Sequence, residues 1–297
     1  MTAIVQCTGL EKKYHMKKVL NNVSMTISPQ TITGLIGRNG AGKTTLLKII
    51  AGFWRHTSGD IKVFGETPFH HLKVSANSIF VDDQMVFPES LALKEILEEA
   101  NRFYPNWDAR LAYRLFQYFN LNGRQLHHRL SKGQRSTFNM IIGLATRSPL
   151  TIFDEPTTGM DSAVRKDFYR ALLKDYLAHP RTIILSSHHL EEIDDLLEDI
   201  VLIDNGEIVF HESMDVIREY AVELIGDESK VKEWTQDKDV LYEEKVGIDQ
   251  LKMVVKNEFT DEELGETGFG VASVSANDVA IYLTNKSKGG IDGVFRT

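Results

Sequence analysis

The chain has 297 residues, of which 42% are hydrophobic and 26% are charged, and its formal net charge is −8. These values are typical of a globular protein with one large domain and a small one, and the acidic balance disfavours nucleic acid as a partner. No apolar run reaches the length of a membrane span, and the start lacks the apolar core of a signal peptide, so we expect a cytoplasmic chain.

The first 81 residues predict a β-rich start, followed by a strand, a glycine-rich loop and a helix. In the second strand, Val23, Met25 and Ile27 alternate with polar residues, as in a half-buried strand. We expect Asn21-Asn22 to form the turn between the first two strands. The buried strand TITGLIG, the helix TTLLKIIAGF, and the strands GDIKVFG and SIFVDD follow.

A block with helical periodicity comes next. LALKEILEEANRF has apolar residues at the 3.6-residue spacing of a helix. DARLAYRLFQYF repeats the pattern with Leu111, Leu115 and Tyr118, and Asp108 is a candidate N-cap. We expect an inserted helical subdomain at about residues 90–148.

The second half alternates strands with helices and ends in a segment of different character. PLTIFDEP and RTIILSSH are predicted strands that flank a helix, and Asn205-Gly206 indicates a hairpin. This alternation predicts an α/β fold with a mainly parallel sheet over residues 1–220. We assign residues 221–297 to a small α+β accessory domain, with a strand at LKMVVKN and a helix at ANDVAIYLTN.

The run GRNGAGKTT matches G-x-x-x-x-G-K-[ST] between a predicted strand and a predicted helix, which is the context of a phosphate-binding loop. Its glycines let the backbone approach phosphates, and the loop amides and helix N-terminus favour negative charge. The lysine can reach the β- and γ-phosphates, and the threonine after it can ligate Mg²⁺. The predicted nucleotide-binding residues here are Gly37, Asn39, Gly40, Ala41, Gly42, Lys43, Thr44 and Thr45.

Two acidic residues end the buried strand in LTIFDEP, at the edge where open α/β sheets bind ligands. We expect Asp154 to hold Mg²⁺ together with Thr44. Glu155 would polarise the water that attacks the γ-phosphate in line. Such a pair alone is usually just solvated, but the phosphate-binding loop upstream favours the catalytic interpretation.

The order of six motifs resembles the ABC-type ATPases over about residues 3–220. The motifs are GRNGAGKTT, a glutamine-containing loop, LSKGQ, LTIFDEP, TTGMD and SSHH, and LSKGQ upstream of the acidic strand end is specific to that family. The resemblance implies a P-loop NTPase core with an N-terminal antiparallel β subdomain and the helical insert. It also implies ATPase activity, with ATP and Mg²⁺ bound.

Some residues receive a role from the resemblance alone. Tyr14 corresponds to the aromatic residue that stacks on adenine. Gln84 matches the glutamine that senses Mg²⁺ and the γ-phosphate, and His188 matches the histidine that contacts the γ-phosphate. Asp161 lies in the loop that crosses between subunits.

The LSKGQ element belongs, by the same resemblance, to a site shared between two chains. In the ABC family it faces the ATP of a second nucleotide-binding subunit, so Ser131, Gly133 and Gln134 would complete a partner's site. Its serine hydroxyl, glycine amide and helix dipole are suited to an anion. Lys132 stands where the commonest family form has glycine, and it adds positive charge near that γ-phosphate.

The motif order and the stretch GFWRHTSGDIKVFG look most like bacterial exporter ATPases near the YtrB-like group. This implies an ATPase at the inner face of the cell membrane that powers a separate transmembrane permease, for export of a peptide, drug or other amphipathic substrate. The second subunit would be an identical copy or a related ATPase. Phe87 and Pro88 look exposed enough to dock on the permease.

Two other functions remain as alternatives. A non-transport ABC ATPase that acts on ribosomes or DNA is disfavoured by the single P-loop, the acidic charge and the lack of a coiled-coil insert. A P-loop kinase or GTPase would leave LSKGQ and SSHH unexplained.

Overall fold

The structure is a computed structural model, which describes residues 3–284. The last part of the predicted accessory domain, residues 285–297, therefore lies outside the described residues. In chain order, the first half consists of β1 (Val5–Tyr14), β2 (Lys17–Ile27), β3 (Ile32–Ile36), α1 (Lys43–Ile50), β4 (Ser58–Val63), α2 (Leu72–Asn77), β5 (Ser78–Val81), α3 (Leu93–Phe103), α4 (Ala109–Tyr118) and α5 (Lys132–Ala145).

The second half contains further helices and strands in alternation. They are β6 (Leu150–Asp154), α6 (Ser162–Ala178), β7 (Thr182–Ser187), β8 (Asp199–Asp204), β9 (Glu207–Ser213), α7 (Met214–Arg218), β10 (Ala221–Asp227), α8 (Glu228–Trp234), β11 (Val240–Lys245), β12 (Gln250–Lys256), α9 (Asp261–Glu266), β13 (Gly270–Ser273) and α10 (Ala276–Thr284).

A six-stranded sheet with the order β5-β6-β7-β3-β8-β9 forms the centre of the fold. Its strands are parallel except for β9, which pairs antiparallel to β8. Every residue of β3, β6 and β7 is buried, as expected for parallel strands that are covered on both faces. The predicted α/β class with a mainly parallel sheet is confirmed.

The three-stranded antiparallel sheet β2-β1-β4 differs from the prediction in the position of its first turn. The chain reverses after Tyr14, which pairs with Lys17, whereas Asn21 and Asn22 lie inside β2. Asn22 has a φ of 53°, and the register between β1 and β2 shifts on either side of it. The two asparagines therefore mark a bulge rather than a turn, and the N–H of Asn21 donates to the carbonyl of Gly206 at 2.8 Å.

The face that α4 buries also differs from the prediction. Phe116 is buried and packs edge-on against Phe138 of α5, with ring centroids 6.3 Å apart. Leu111 and Leu115 of the predicted stripe are half-buried, and Tyr118 is exposed. The helix is thus rotated so that Phe116, and not Tyr118, faces α5.

Capping side chains begin several of the described helices, including α4, α5 and α6. Asp108 caps α4 as predicted, Ser131 caps α5 and Asp161 caps α6, because each side chain accepts a hydrogen bond from the first turn. The caps fix where the motifs LSKGQ and TTGMD stand relative to their helices.

Residues 221–273 form a βαββαβ unit whose sheet has the order β11-β12-β10-β13. This is a ferredoxin-like arrangement, and it was not predicted from the sequence. The predicted strand LKMVVKN and helix ANDVAIYLTN correspond to β12 and α10. Val279 and Ala280 of α10 are buried in the larger core beside the central sheet, so the end of the described chain packs back on that sheet.

Not one helix in the described part of the chain combines the length and the apolar character that a bilayer crossing requires.

Candidate ATP-binding site

The carboxyl ends of three neighbouring strands bring three motifs together. In the central sheet β6, β7 and β3 are adjacent and parallel. GRNGAGKTT follows β3, the acidic pair ends β6 and SSHH ends β7. The topology therefore collects basic, acidic and imidazole groups at one edge of the sheet, where α/β proteins bind ligands.

A cavity of about 280 Å³ lies over the glycine-rich loop. Gly42 begins α1 with a φ of 111°, which favours glycine. A Cβ at Gly37 would lie 2.3 Å from the carbonyl oxygen of Ile203, so the backbone can pass there only without a side chain. The cavity is lined by Lys17, Val19, Arg38, Asn39, Gly40, Gly42, Lys43, Thr44, Thr45 and Glu155.

Lys43 is buried, and its ammonium group lies within this loop. The Nζ atom donates a hydrogen bond of 2.6 Å to the carbonyl of Gly37 and lies 3.0 Å from Oε1 of Glu155. A buried cation is costly without anionic partners. The loop is therefore suited to bind the negative charge of phosphates.

Glu155 is clamped at the end of β6 in a strained backbone conformation. Its φ is 46°, in the left-handed region, and its N–H donates to the hydroxyl of Ser186 at 2.9 Å. One carboxylate oxygen pairs with Lys43, and the other lies 2.8 Å from Nδ1 of His188. The structure thus brings together two residues that were predicted to be catalytic, Glu155 and His188.

Asp154, the residue before Glu155 in the sequence, is buried. The Ser186 hydroxyl donates to its Oδ1 atom at 2.6 Å, and the Thr44 hydroxyl forms a second hydrogen bond with the carboxylate. Burial raises the pKa of Asp154, while these two hydrogen bonds oppose the rise.

The contact between Thr44 and Asp154 fits a magnesium site, because Mg²⁺ prefers oxygen ligands and usually binds through one or two protein groups plus phosphates and water. Within residues 3–284, no group of three or more His, Cys, Asp or Glu side chains could hold a metal ion. A magnesium ion here would therefore take its remaining ligands from the nucleotide and from water.

Gln84 lies beside this cavity rather than in it. Its N–H donates to Oδ1 of Asp82 at 3.0 Å, and its exposed side chain lines a second, larger groove. Lys48 of α1 pairs with Asp82 at 3.4 Å. The structure thus places Gln84 next to the helix that follows the phosphate-binding loop, without direct contact to the cavity.

Tyr14 also lies outside the lining of the cavity. Its ring meets Trp54 edge-on at 6.1 Å, and its hydroxyl forms a hydrogen bond with Thr45. Lys17 and Val19 of β2 line the cavity instead. These two residues were missed from the sequence, and only their position just after the hairpin at Tyr14 could have indicated them.

The LSKGQ residues lie at the N-terminus of α5. The Gln134 N–H donates to Oγ of Ser131 at 3.3 Å, and Oε1 of Gln134 accepts from the Ser131 N–H at 3.2 Å, which is a capping box. A Cβ at Gly133 would lie 2.5 Å from the carbonyl oxygen of Gly159. None of these three residues lines the cavity over the chain's own phosphate-binding loop.

A glycine-rich loop with a buried lysine, a hydroxyl–carboxylate pair and a clamped glutamate at adjacent strand ends define a P-loop nucleoside triphosphatase. Comparison with known proteins identifies the family within this class.

The family model described as ABC transporter matches residues 20–158. The uncharacterized ABC transporter ATP-binding protein YcbN of Bacillus subtilis (strain 168) is 31% identical over 233 residues, which are 76% of this chain and 74% of that protein. The chain belongs to the ABC transporter ATP-binding proteins and is an ATPase, as the resemblance implied.

Two further relatives were also found. The ABC transporter ATP-binding protein YtrB of Bacillus subtilis (strain 168) is 28% identical over 221 residues, which are 74% of this chain and 76% of that protein. The daunorubicin resistance ATP-binding protein DrrA3 of Streptomyces coeruleorubidus is 28% identical over 216 residues, which are 71% of this chain and 68% of that protein.

Solved structures agree with this assignment. A structure described as the ATP binding subunit of an ABC transporter is 25% identical, has a TM-score of 0.65, and covers 72% of this chain and 92% of that one. A dimeric post-hydrolysis state of the cassette MJ0796, bound to ADP and Pi, has the same fold, with 21% identity, a TM-score of 0.62, and coverage of 71% of this chain and 98% of that one.

Proposed function

We propose that this ATPase works at the inner face of the cell membrane and powers a separate permease that exports a peptide, drug or other amphipathic substrate. Two copies, or this chain and a related ATPase, would face each other head to tail. The observation that carries the ATP-hydrolysis step of the proposal is the contact cluster of Lys43, Glu155 and His188 at adjacent strand ends. The relative named for daunorubicin resistance supports export as the direction.

Binding of ATP would change the partner of Lys43. Its ammonium now pairs with Glu155, and the phosphates of ATP, held by the loop amides, would take the place of that carboxylate. The exchange frees Glu155 to accept a proton. Thr44 and Asp154 would hold Mg²⁺, which neutralises charge on the phosphates when bound.

Hydrolysis would then use Glu155 as the base. Its carboxylate accepts a proton from a water molecule while the water oxygen bonds to the γ-phosphorus, and the bond from that phosphorus to the bridging oxygen breaks. ADP and inorganic phosphate are the products. His188, which now contacts Glu155, would bind the γ-phosphate and keep the carboxylate oriented.

The second subunit would complete each site. Ser131, Gly133 and Gln134 lie at the N-terminus of a 14-residue helix, where the helix dipole favours an anion. Because they do not line their own cavity, we assign them to the γ-phosphate of the partner's ATP. Asp161, at the N-cap of α6, would lie in the loop that crosses between the subunits.

The permease would dock in the groove beside Gln84, which has a volume of about 760 Å³. Val86 in this loop is 85% exposed, whereas Phe87 is half-buried against His127, with ring centroids 4.8 Å apart. Phe87 is therefore not the exposed docking residue that its sequence suggested, because its ring fills a space beside α5. The exposed apolar residues that line the groove are Phe53, Trp54, Leu72, Val86 and Phe103.

Such a groove suits the apolar face of a helix in a cytoplasmic loop of the permease. Gln84 lies on its wall, so the loop that would sense the nucleotide also contacts the docking surface.

The variant Glu155→Gln tests this function. We expect it to bind ATP with unchanged affinity but to hydrolyse ATP at least about 100-fold more slowly, because the amide cannot accept the proton. Glu191→Gln, at an exposed glutamate outside the cluster, is the control and should hydrolyse ATP normally. Turnover by Glu155→Gln close to the unmodified rate would contradict the assignment.

A further inference from the structure

Two neighbouring aspartates precede Gln84, and their side chains pair with lysines of two different helices. Asp82 pairs with Lys48 of α1 at 3.4 Å, and Asp83 pairs with Lys132 of α5 at 3.7 Å. The loop of Gln84 is therefore connected both to the helix of the phosphate-binding loop and to the helix of LSKGQ.

The two connections differ in strength. The side chains of Asp82 and Lys48 are only 12% and 15% exposed, and Asn139 donates a further hydrogen bond of 3.0 Å to the Asp82 carbonyl. The side chains of Asp83 and Lys132 are 44% and 59% exposed. Exposed ion pairs contribute little to stability. The pair of Asp83 is therefore easily exchanged, whereas Asp82 is held in place.

A third loop contacts the aliphatic stem of the Lys132 side chain, its Cβ, Cγ and Cδ atoms. A Cβ at Gly159, in the TTGMD motif, would lie 2.9 Å from the Cγ atom of Lys132, so the lysine stem lies directly on this glycine. Lys132 also follows the cap Ser131, which places its charge at the positive end of α5. Its ammonium can therefore turn away from Asp83 while its stem stays in place.

We propose that Lys132 exchanges Asp83 for the γ-phosphate of the ATP bound to the second subunit. This inference rests on the proposed head-to-tail pair and adds a side-chain contact to the phosphate in it. A charge-assisted hydrogen bond to phosphate at an interface favours its bound form about tenfold or more, whereas an exposed pair such as that with Asp83 contributes about fivefold at most. The phosphate should therefore displace Asp83 as the partner of Lys132.

The exchange would let one subunit sense the nucleotide of the other. When Lys132 leaves Asp83, the loop of Gln84 loses its contact with the N-terminus of α5 and keeps the contacts of Asp82 with Lys48 and with Asn139 in the middle of α5. Because Gln84 and Val86 line the docking groove, the permease would experience this change.

The test measures ATP-induced association of the Glu155→Gln protein by sedimentation, with Lys132→Met, Asp83→Asn and both changes added. We expect Lys132→Met to weaken association about tenfold. Asp83→Asn should strengthen it about threefold, because Lys132 no longer has a competing partner, and should have no effect once Lys132 is methionine. Lys94→Met and Glu98→Gln, in another exposed ion pair, are the controls and should change nothing.

Unchanged association in Lys132→Met, or an equal effect of Asp83→Asn in both backgrounds, would overturn the exchange and leave the proposed pair intact. Effects of the same size in the Lys94 and Glu98 controls would also overturn it, since they would show a general charge effect. If the Glu155→Gln protein itself does not associate with ATP, both the exchange and the proposed pair are wrong. Thermal unfolding of each variant checks that it is folded.

Discussion

At the scale of single residues, the site is a series of contacts in which Glu155 lies between Lys43 and His188. Each group is placed by the end of a different strand, and Glu155 keeps a left-handed backbone whose strain costs about 1–3 kcal/mol. Strain of this kind persists only where neighbours hold the residue in place, and here the Ser186 hydroxyl, Lys43 and His188 do so.

We expect the carboxylate of Asp154 to lower the free energy of unfolding, although ATP turnover requires it. Burial raises its pKa above the ordinary value of 3.8, so the native state binds a proton more tightly than the unfolded state. Its contribution to the free energy of unfolding therefore falls as pH rises from 3.8 through the raised native pKa. Asp154→Asn removes this buried charge. Without nucleotide, we expect a higher unfolding temperature at pH 7, a smaller gain near pH 4, and loss of ATP turnover.

Scanning calorimetry at the two pH values measures this effect. Asp195→Asn, at an exposed carboxylate, is the control and should change neither the unfolding temperature nor the turnover. A lower unfolding temperature of Asp154→Asn at pH 7 would show that the carboxylate stabilises the fold.

Much of the site could be predicted at this scale, because a short motif at a strand end specifies position and chemistry together. Lys43, Glu155 and His188 meet for this reason. The contact of Tyr14 with Trp54 could not be predicted, because it depends on how a hairpin packs on a helix end 40 residues later.

At the scale of elements, the strands of the central sheet were predictable because parallel strands are continuous apolar runs. Asn22 shows where local signals fail, since its left-handed backbone is compatible with both a turn and a bulge, and only pairing with β1 decides between them. The βαββαβ unit was missed for a related reason, because β11 and β13 are largely exposed and only their pairing reveals the sheet.

The groove beside the Gln84 loop predicts how much of the protein co-purifies with membranes that contain the permease. Val86→Glu places a charge on its exposed apolar wall, which a docking helix would have to desolvate. We expect at least about tenfold less of this variant to co-purify with membranes that contain the permease, with unchanged ATP turnover in isolation. Val216→Glu, at an exposed valine of α7, is the control. Equal membrane recovery of Val86→Glu and the unmodified chain would place the permease elsewhere.

At the scale of the whole molecule, the cavity and the N-terminus of α5 would belong to two different sites of the proposed pair. The cavity contains the phosphate-binding loop and Glu155, but Ser131, Gly133 and Gln134 do not line it. The central claim is that each ATP is held by Lys43 of one subunit and Ser131 of the other.

Mixing two inactive variants measures this claim most directly. Lys43→Ala removes the phosphate contact in one chain, and Ser131→Arg blocks the LSKGQ end in the other, so each variant alone should hydrolyse almost no ATP. In an equal mixture about half of the pairs are mixed, and each mixed pair keeps one complete site, so ATP turnover should rise to about a quarter of the unmodified rate at most. A mixture as inactive as its components, or a Ser131→Arg protein that alone hydrolyses ATP at the unmodified rate, would contradict the shared site.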